Sequence, residues 1–221
     1  MKDRSAMMKI LKAKLKPLVR EHGFVYRTPT TLLFERDNVL SIINYHVASE
    51  HMFVNYAMLP LYIKTDFFGL GCGDRLERFI KGGYHDWGEG DEEQFKINCD
   101  EIYLLLEENI LPLFTKYGSP SGLIRFIEDD VWRLFTHGFA PDHRYEYLAY
   151  SYWYLGDIDA GIAALSRVFD KGVVEPKQGA WVKPFLEYAH ELIELARSNP
   201  KLIRDKMLEN VEYSRAHLGI K

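Results

Sequence analysis

The sequence predicts an α+β fold: an antiparallel β-meander packed with helices, followed by an all-helical C-terminal third. Three observations carry this. Residues 24 to 61 break into short runs rich in β-branched and aromatic side chains, separated by turn residues. Residues 91 to 117 carry an unbroken apolar stripe at helical spacing. From Asp142 onward only helical periodicity remains. This divides the chain into an α+β domain over 1–138 and a helical C-terminal region over 139–221 packed on it.

In the meander, Phe24 to Arg27 and Thr31 to Glu35 flank Pro29, which fixes φ and removes a donor. Asp37-Asn38 suits a two-residue type I′ loop, because both residues tolerate positive φ. Val39 to Val47 is the longest strand, and Met52 to Leu59 pairs back after Ala48-Ser49-Glu50-His51. Val39, Ser41, Ile43, Tyr45 and Val47 share one face. Leu40, Ile42, Asn44 and His46 share the other, which starts apolar and turns polar. A sheet covered by helices at one end produces that mixture.

Ahead of the meander, Ser5 to His22 reads as a helix with an apolar stripe of Met8, Leu11, Leu15 and Leu18, kinked or restarted at Pro17. Lys9, Lys12, Lys16 and Arg20 form a second, basic stripe, to which Lys2, Arg4 and Lys14 add further charge against Asp3. A solvated helix face accounts for it, because no aromatic or Gly-rich loop accompanies the bases as single-strand binding wants. After the meander, Phe67 to Asp74 carries Gly69, Gly71 and Gly73. It matches neither dinucleotide nor phosphate-loop patterns and reads as a flexible connector before a short helix from Arg75 to Lys81.

The loop from Gly82 to Gly90 holds Tyr84, His85, Asp86, Trp87 and Glu89, the most site-like polar cluster in the chain. His, Asp and Glu could hold a metal or move protons. The spacing matches no ligand motif and the glycines give no rigid frame, so an exposed loop with Trp87 tucked into the core is the favoured reading. Asp91 to Tyr117 comes next, with Phe95, Cys99, Ile102, Leu106, Ile110, Leu113 and Tyr117 on one face, and a kink or division near Asn109 caused by Pro112. Cys99 on that stripe reads as a packed thiol. Ser119-Pro120 caps a helix to Phe135, whose Glu128-Asp129-Asp130 run is a solvated face.

In the helical third, Tyr145 to Tyr154, Ile158 to Asp170, Ala180 to Ser198 and Pro200 to His217 read as helices packing in sequence as antiparallel neighbours. Leu148 to Ile162 looks like one tetratricopeptide helix pair, with Ala149, Tyr152 and Gly156 at the small, aromatic and glycine positions. The small residue of its second helix is Ala160 or Gly161. Six aromatics between 145 and 154 exceed what one packed stripe can hide, so at least one ring is expected to be exposed or to line a groove. Trp153 is expected in the core, and Tyr147 or Tyr154 outside. Tyr147, Tyr150 and Tyr154 are therefore the candidate partner-binding residues.

Composition bounds the rest. The 47% hydrophobic and 14% aromatic content excludes a disordered chain. A net charge of -4 points to neither nucleic acid nor an anionic membrane, and no apolar run spans a bilayer. Cys72 and Cys99 stand in unlike contexts and read as reduced thiols of a cytoplasmic protein, with no cofactor implied.

Leu15-Lys16-Pro17-Leu18, Gly23-Phe24 and Phe34-Glu35-Arg36, with Ile110-Leu111-Pro112 ending a long acidic helix, resemble the bacterial domain of unknown function 4304 family over about residues 5–135. The resemblance implies a soluble bacterial α+β domain and brings no catalytic residues. The function these features favour is a non-enzymatic protein-interaction module, acting on a partner or on a second copy. The alternative is a hydrolase or metal-dependent enzyme using the loop around His85. A deep polar pocket joining that loop to Asn44 and His46 would raise the alternative sharply.

Overall fold

The computed structural model describes residues 4–48, 51–69, 71–83, 85–136, 141–170, 173 and 179–220. Lys2, Asp3, Ser49, Glu50, Leu70 and Tyr84, for which the sequence suggests roles in the basic stripe, the turns and the polar loop, lie outside the described residues. The core of the molecule is one antiparallel sheet of five strands in the order β1-β2-β3-β4-β5. The strands are β1 (Val25–Thr28), β2 (Thr31–Arg36), β3 (Val39–Ala48), β4 (His51–Pro60) and β5 (Gly73–Arg75). Asp37 and Asn38, at φ 51 and 62, make the expected turn between β2 and β3. The fifth strand corrects the expectation for this segment: Gly73 to Arg75 is not connector or helix but pairs with Asn55 to Ala57. After it the chain makes a single 3-10 turn, Leu76–Phe79.

Helices cover the two faces unequally. On the first face stand Val39, Ser41, Ile43, Tyr45 and Val47, all buried. It is closed by α1 (Arg4–Lys14), α2 (Lys16–Glu21), α3 (Glu92–Leu105) and α4 (Leu111–Tyr117). Pro17 does restart the N-terminal helix, standing in the first turn of α2. Met7, Leu11, Leu15 and Leu18 are its buried stripe, with Met8 only half-buried. All seven stripe residues from Phe95 to Tyr117 are buried. Pro112 divides that long helix by a π turn, Leu106–Ile110, rather than a plain break: the Leu111 N–H reaches back five residues to the Leu106 carbonyl. Arg36 from β2 donates to the Thr115 carbonyl at 2.8 Å and anchors α4.

Ser119 caps α5 (Pro120–Glu128) by accepting from the Gly122 N–H at 3.2 Å. The helix does not run on to Phe135. Asp130 takes a positive φ of 54, and a separate turn, α6 (Trp132–Phe135), succeeds it. The consecutive acids are there to end the helix, with Trp132 Nε1 donating to Asp130 at 3.0 Å. This segment passes the β5 side of the sheet, where Tyr56 donates to the Phe135 carbonyl at 2.6 Å.

Among the described residues the second face is covered near the β2–β3 turn by α7 (Pro141–Leu155) and α10 (Pro200–Leu218), the end of α10 also reaching Arg27 of β1. Tyr62 and Ser151 share a hydroxyl hydrogen bond of 2.8 Å, Asn38 donates to Tyr154 at 2.7 Å, and Arg215 pairs with Glu35. The helices α8 (Ile158–Ser166) and α9 (Val182–Ser198) complete the region. In sequence α7, α8, α9 and α10 pack each against the next, and α7 also meets α5 and α10. That last fact explains the aromatics. A helix with neighbours on several sides can bury several stripes, so Trp153, Tyr150 and Tyr147 are all buried and Tyr154 is half-buried, stacked on Tyr62 at 4.6 Å.

The close approach of α7 and α8 rests on Gly161, not Ala160. A Cβ at Gly161 would lie 2.3 Å from Trp153 Nε1. Gly161→Ala is expected to destabilise by about 2 kcal/mol, since overpacking outweighs the better helix propensity of alanine. A denaturation midpoint equal to that of the wild type would mean that the two helices are further apart than described.

Candidate functional site

Three places in the fold could carry function: the 85–90 loop, the aromatic helix α7 and the uncovered end of the sheet. The loop proves to be architectural. Strand β4 needs partners for its outer edge, which β5 covers over three residues only. Two buried carboxyl groups supply them. Asp86 Oδ1 accepts from the N–H of Met52 and of Gly88, each at 2.9 Å, and its Oδ2 accepts from His51 Nδ1. Burial alone would raise the Asp86 pKa, but these donors outweigh it and hold the carboxyl below its usual range. Glu77 accepts from Trp87 Nε1 at 2.9 Å and from the Val54 N–H. Asn98 on α3 then ties down the Trp87 carbonyl at 3.1 Å.

Glu77 differs from Asp86 in that its Oε2 is buried without a hydrogen-bond partner. Burial pushes its pKa up, partly offset by the Trp87 and Val54 bonds. A raised carboxyl pKa makes a stabilising contribution below the unfolded value that fades as pH rises through the folded one. Glu77→Gln keeps an acceptor for Trp87 and removes the charge. Its stability is expected within about 1 kcal/mol of wild type at neutral pH, with a flatter pH dependence above about pH 4.5 in urea titrations.

Of the other members of that cluster, His85 is half-buried with its ring edge-on to Trp87 at 4.4 Å, and Glu89 is exposed. Among the described residues no group of three or more His, Cys, Asp or Glu could hold a metal. Cys99 is buried, and burial first, then Asp100, pushes its thiol up to about 12, which disarms it as a nucleophile. Burial raises the Cys72 thiol as well. The basic stripe is an exposed helix face, although Lys14 pairs with Asp100 and Lys12 lies over the Tyr26 ring.

The rings expected outside on α7 are turned inward. Tyr147 is 7% exposed and Tyr150 3%. Tyr147 does line a groove of about 440 Å3, with Lys64, Phe67, His143 and Glu146. Tyr150 meets the Tyr188 hydroxyl at 3.3 Å. Tyr154 is engaged by Asn38 and Tyr62.

The uncovered end of the second face is the third place. Strand register aligns Thr31, Asn44, Asn55 and Arg75 in one row across β2, β3, β4 and β5. At a strand spacing of about 4.8 Å, the row spans about 14 Å. The next row inward, Leu33, Ile42, Ala57 and Gly73, is apolar. The next outward pairs His46 with Phe53. The polar row is pre-built: Asn44 donates to Thr31 Oγ1 at 2.9 Å and to the Thr30 carbonyl at 3.3 Å, and Asn55 reaches Asn44 Oδ1 at 3.5 Å. The Arg75 guanidinium lies over the Phe53 ring at 4.6 Å. Asn44, His46, Phe53, Asn55 and Arg75, with Gly73 and Asp74, line a depression of about 450 Å3.

Asn44 and His46 were legible as the polar end of β3. Asn55 was legible in principle, because the β3–β4 pairing places it opposite Asn44. Arg75 was not, since three residues show no periodicity. Among the described residues, none of the 85–90 loop lines this depression.

Comparison with protein-family models, curated proteins and solved structures gives no match. The resemblance of residues 5–135 therefore rests on its short motifs alone. Among the described residues no helix is long and apolar enough to cross a membrane.

Proposed function

We propose that the chain is a non-enzymatic protein-interaction module that takes its partner on the polar row of the open sheet face. The observation that carries this is the row itself. Asn44, His46, Asn55 and Arg75 stand where the described helices leave the second face open, and there the amides are already fixed by hydrogen bonds. A pre-ordered polar surface loses little side-chain entropy on binding, which favours recognition. The enzymatic alternative loses support from Asp86, the residue it most needs. Both its oxygens are spent on the β4 edge and the loop, leaving none to take a proton or a metal.

The test is a selection of random displayed peptides on the folded protein, followed by mapping of backbone amide shifts. Shifts confined to residues 44–46, 53–55 and 73–75 are expected. Shifts around Tyr147 and Phe67 instead would move the interaction to the groove on α7. Failure to enrich any peptide would defeat the interaction reading.

A further inference from the structure

The charge around the row goes further than the row's geometry. Arg75 is exposed, and its guanidinium carbon lies over the Phe53 ring at 4.6 Å. Among the described residues it forms no salt bridge, although its charge reaches the Glu77 carboxyl. Asp74 alternates to the other face opposite Tyr56 but also borders the depression; it accepts the Arg75 N–H at 2.8 Å and pairs with Arg78 at 3.2 Å. His46 is exposed on the same face two residues along β3 from Asn44. His51 lies further along on that face, with Asp86 as its partner. The face of a chain with net charge -4 thus ends in a cationic corner whose guanidinium makes no salt bridge among the described residues.

Beside that corner, Asn44 and Asn55 carry amides, the side-chain groups that match a peptide bond in offering both a donor and an acceptor. A planar guanidinium selects carboxylate or phosphate, and the adjoining amides select the peptide main chain. The row's span of about 14 Å equals about four residues of extended chain at about 3.3 Å each.

We propose that the row binds an extended acidic peptide segment, with one carboxylate on Arg75, a second near His46, and the main chain between them on Asn55 and Asn44. This rests on the reading of the open face as the partner surface and names the partner's chemistry.

The test uses the full chain and a fluorescein-labelled Glu-Ser-Glu-Ser-Glu-Ser peptide, with Lys-Ser-Lys-Ser-Lys-Ser and inorganic phosphate as comparators. Saturable binding of the acidic peptide is expected, with amide shifts at 44–46, 53–55 and 73–75. Affinity should fall at least about tenfold for Arg75→Glu, as loss of a charge-assisted contact implies. It should fall severalfold for His46→Glu and in high salt. Both positions are exposed, so the variants are expected to keep the wild-type urea midpoint, which is measured alongside.

Phosphate displacing the peptide at equal concentration would overturn the inference in favour of a simple anion site. Row binding by neutral or basic display-selected peptides, unaffected by Arg75→Glu, would also overturn it while leaving the open face as the partner surface. Absence of any peptide-induced shift on the row would defeat both.

Discussion

Asp86→Ala is expected to cost about 3–5 kcal/mol and to release the 85–90 loop from the sheet. The carboxyl satisfies the N–H groups of Met52 and Gly88, and both would be left without an acceptor in a buried place. An unsatisfied buried donor costs about 1–3 kcal/mol, and the His51 contact is lost as well. Asp86→Asn retains one acceptor and should cost less. Because the donors depress the Asp86 pKa, its contribution is present above the unfolded value of about 3.8 and is lost as pH falls through the folded one. Acid denaturation of the wild type should therefore steepen below about pH 4, and the alanine variant should lack that component. The check is urea unfolding from pH 2 to 7, with amide exchange at Met52 and Gly88. A loss under 1 kcal/mol with unchanged protection would show that the carboxyl is not the loop's anchor.

The same residue shows why the sequence could locate the cluster but not its purpose. Polar residues close in sequence resemble a site when nothing is known of the strand beside them. Once β4 is in place, its unpaired edge needs acceptors, and Asp86 and Glu77 meet a demand that no local pattern announces. Long-period signals were legible for the opposite reason. The stripe from Phe95 to Tyr117 and the alternation along β3 each repeat often enough for burial to be read directly. The Asp37-Asn38 turn was legible because its backbone conformation is restricted to few residue types. On α7 the aromatics were counted correctly, but the number of neighbours was not, and that number depends on α5, α8 and α10 converging there.

The candidate site sits at the junction of these two kinds of information. Half of its polar row, Asn44 with His46, comes from alternation on a long strand. The other half depends on register and on a strand too short to be periodic. Surface function on a sheet is set by which strands become neighbours, so a row across strands is only partly visible along any one of them.

The row depends most sharply on Gly73, and Gly73→Ala is expected to remove both stability and binding. Strand β5 approaches β4 so closely that a Cβ at 73 would lie 2.0 Å from the Tyr56 carbonyl oxygen and 2.6 Å from the Ala57 Cα. These are backbone atoms of a central strand and cannot swing aside as a side chain can. The methyl must push β5 outward by about 1 Å or more, breaking the pairing of residues 73–75 with 55–57. Overpacking and lost strand hydrogen bonds together should cost about 3 kcal/mol. Displacement of β5 carries Arg75 off the Phe53 ring, so affinity for the acidic peptide should fall by at least about tenfold even where the protein stays folded. Gly71→Ala is the control. Its Cβ would come 3.2 Å from the Tyr147 hydroxyl, a side-chain atom that can yield by a few tenths of an ångström, and it should change stability by less than about 1 kcal/mol. Urea midpoints and peptide titrations of both variants decide the matter. A Gly73→Ala protein with wild-type midpoint and affinity would show that β5 does not lie against β4 as described, and that the row ends at Asn55.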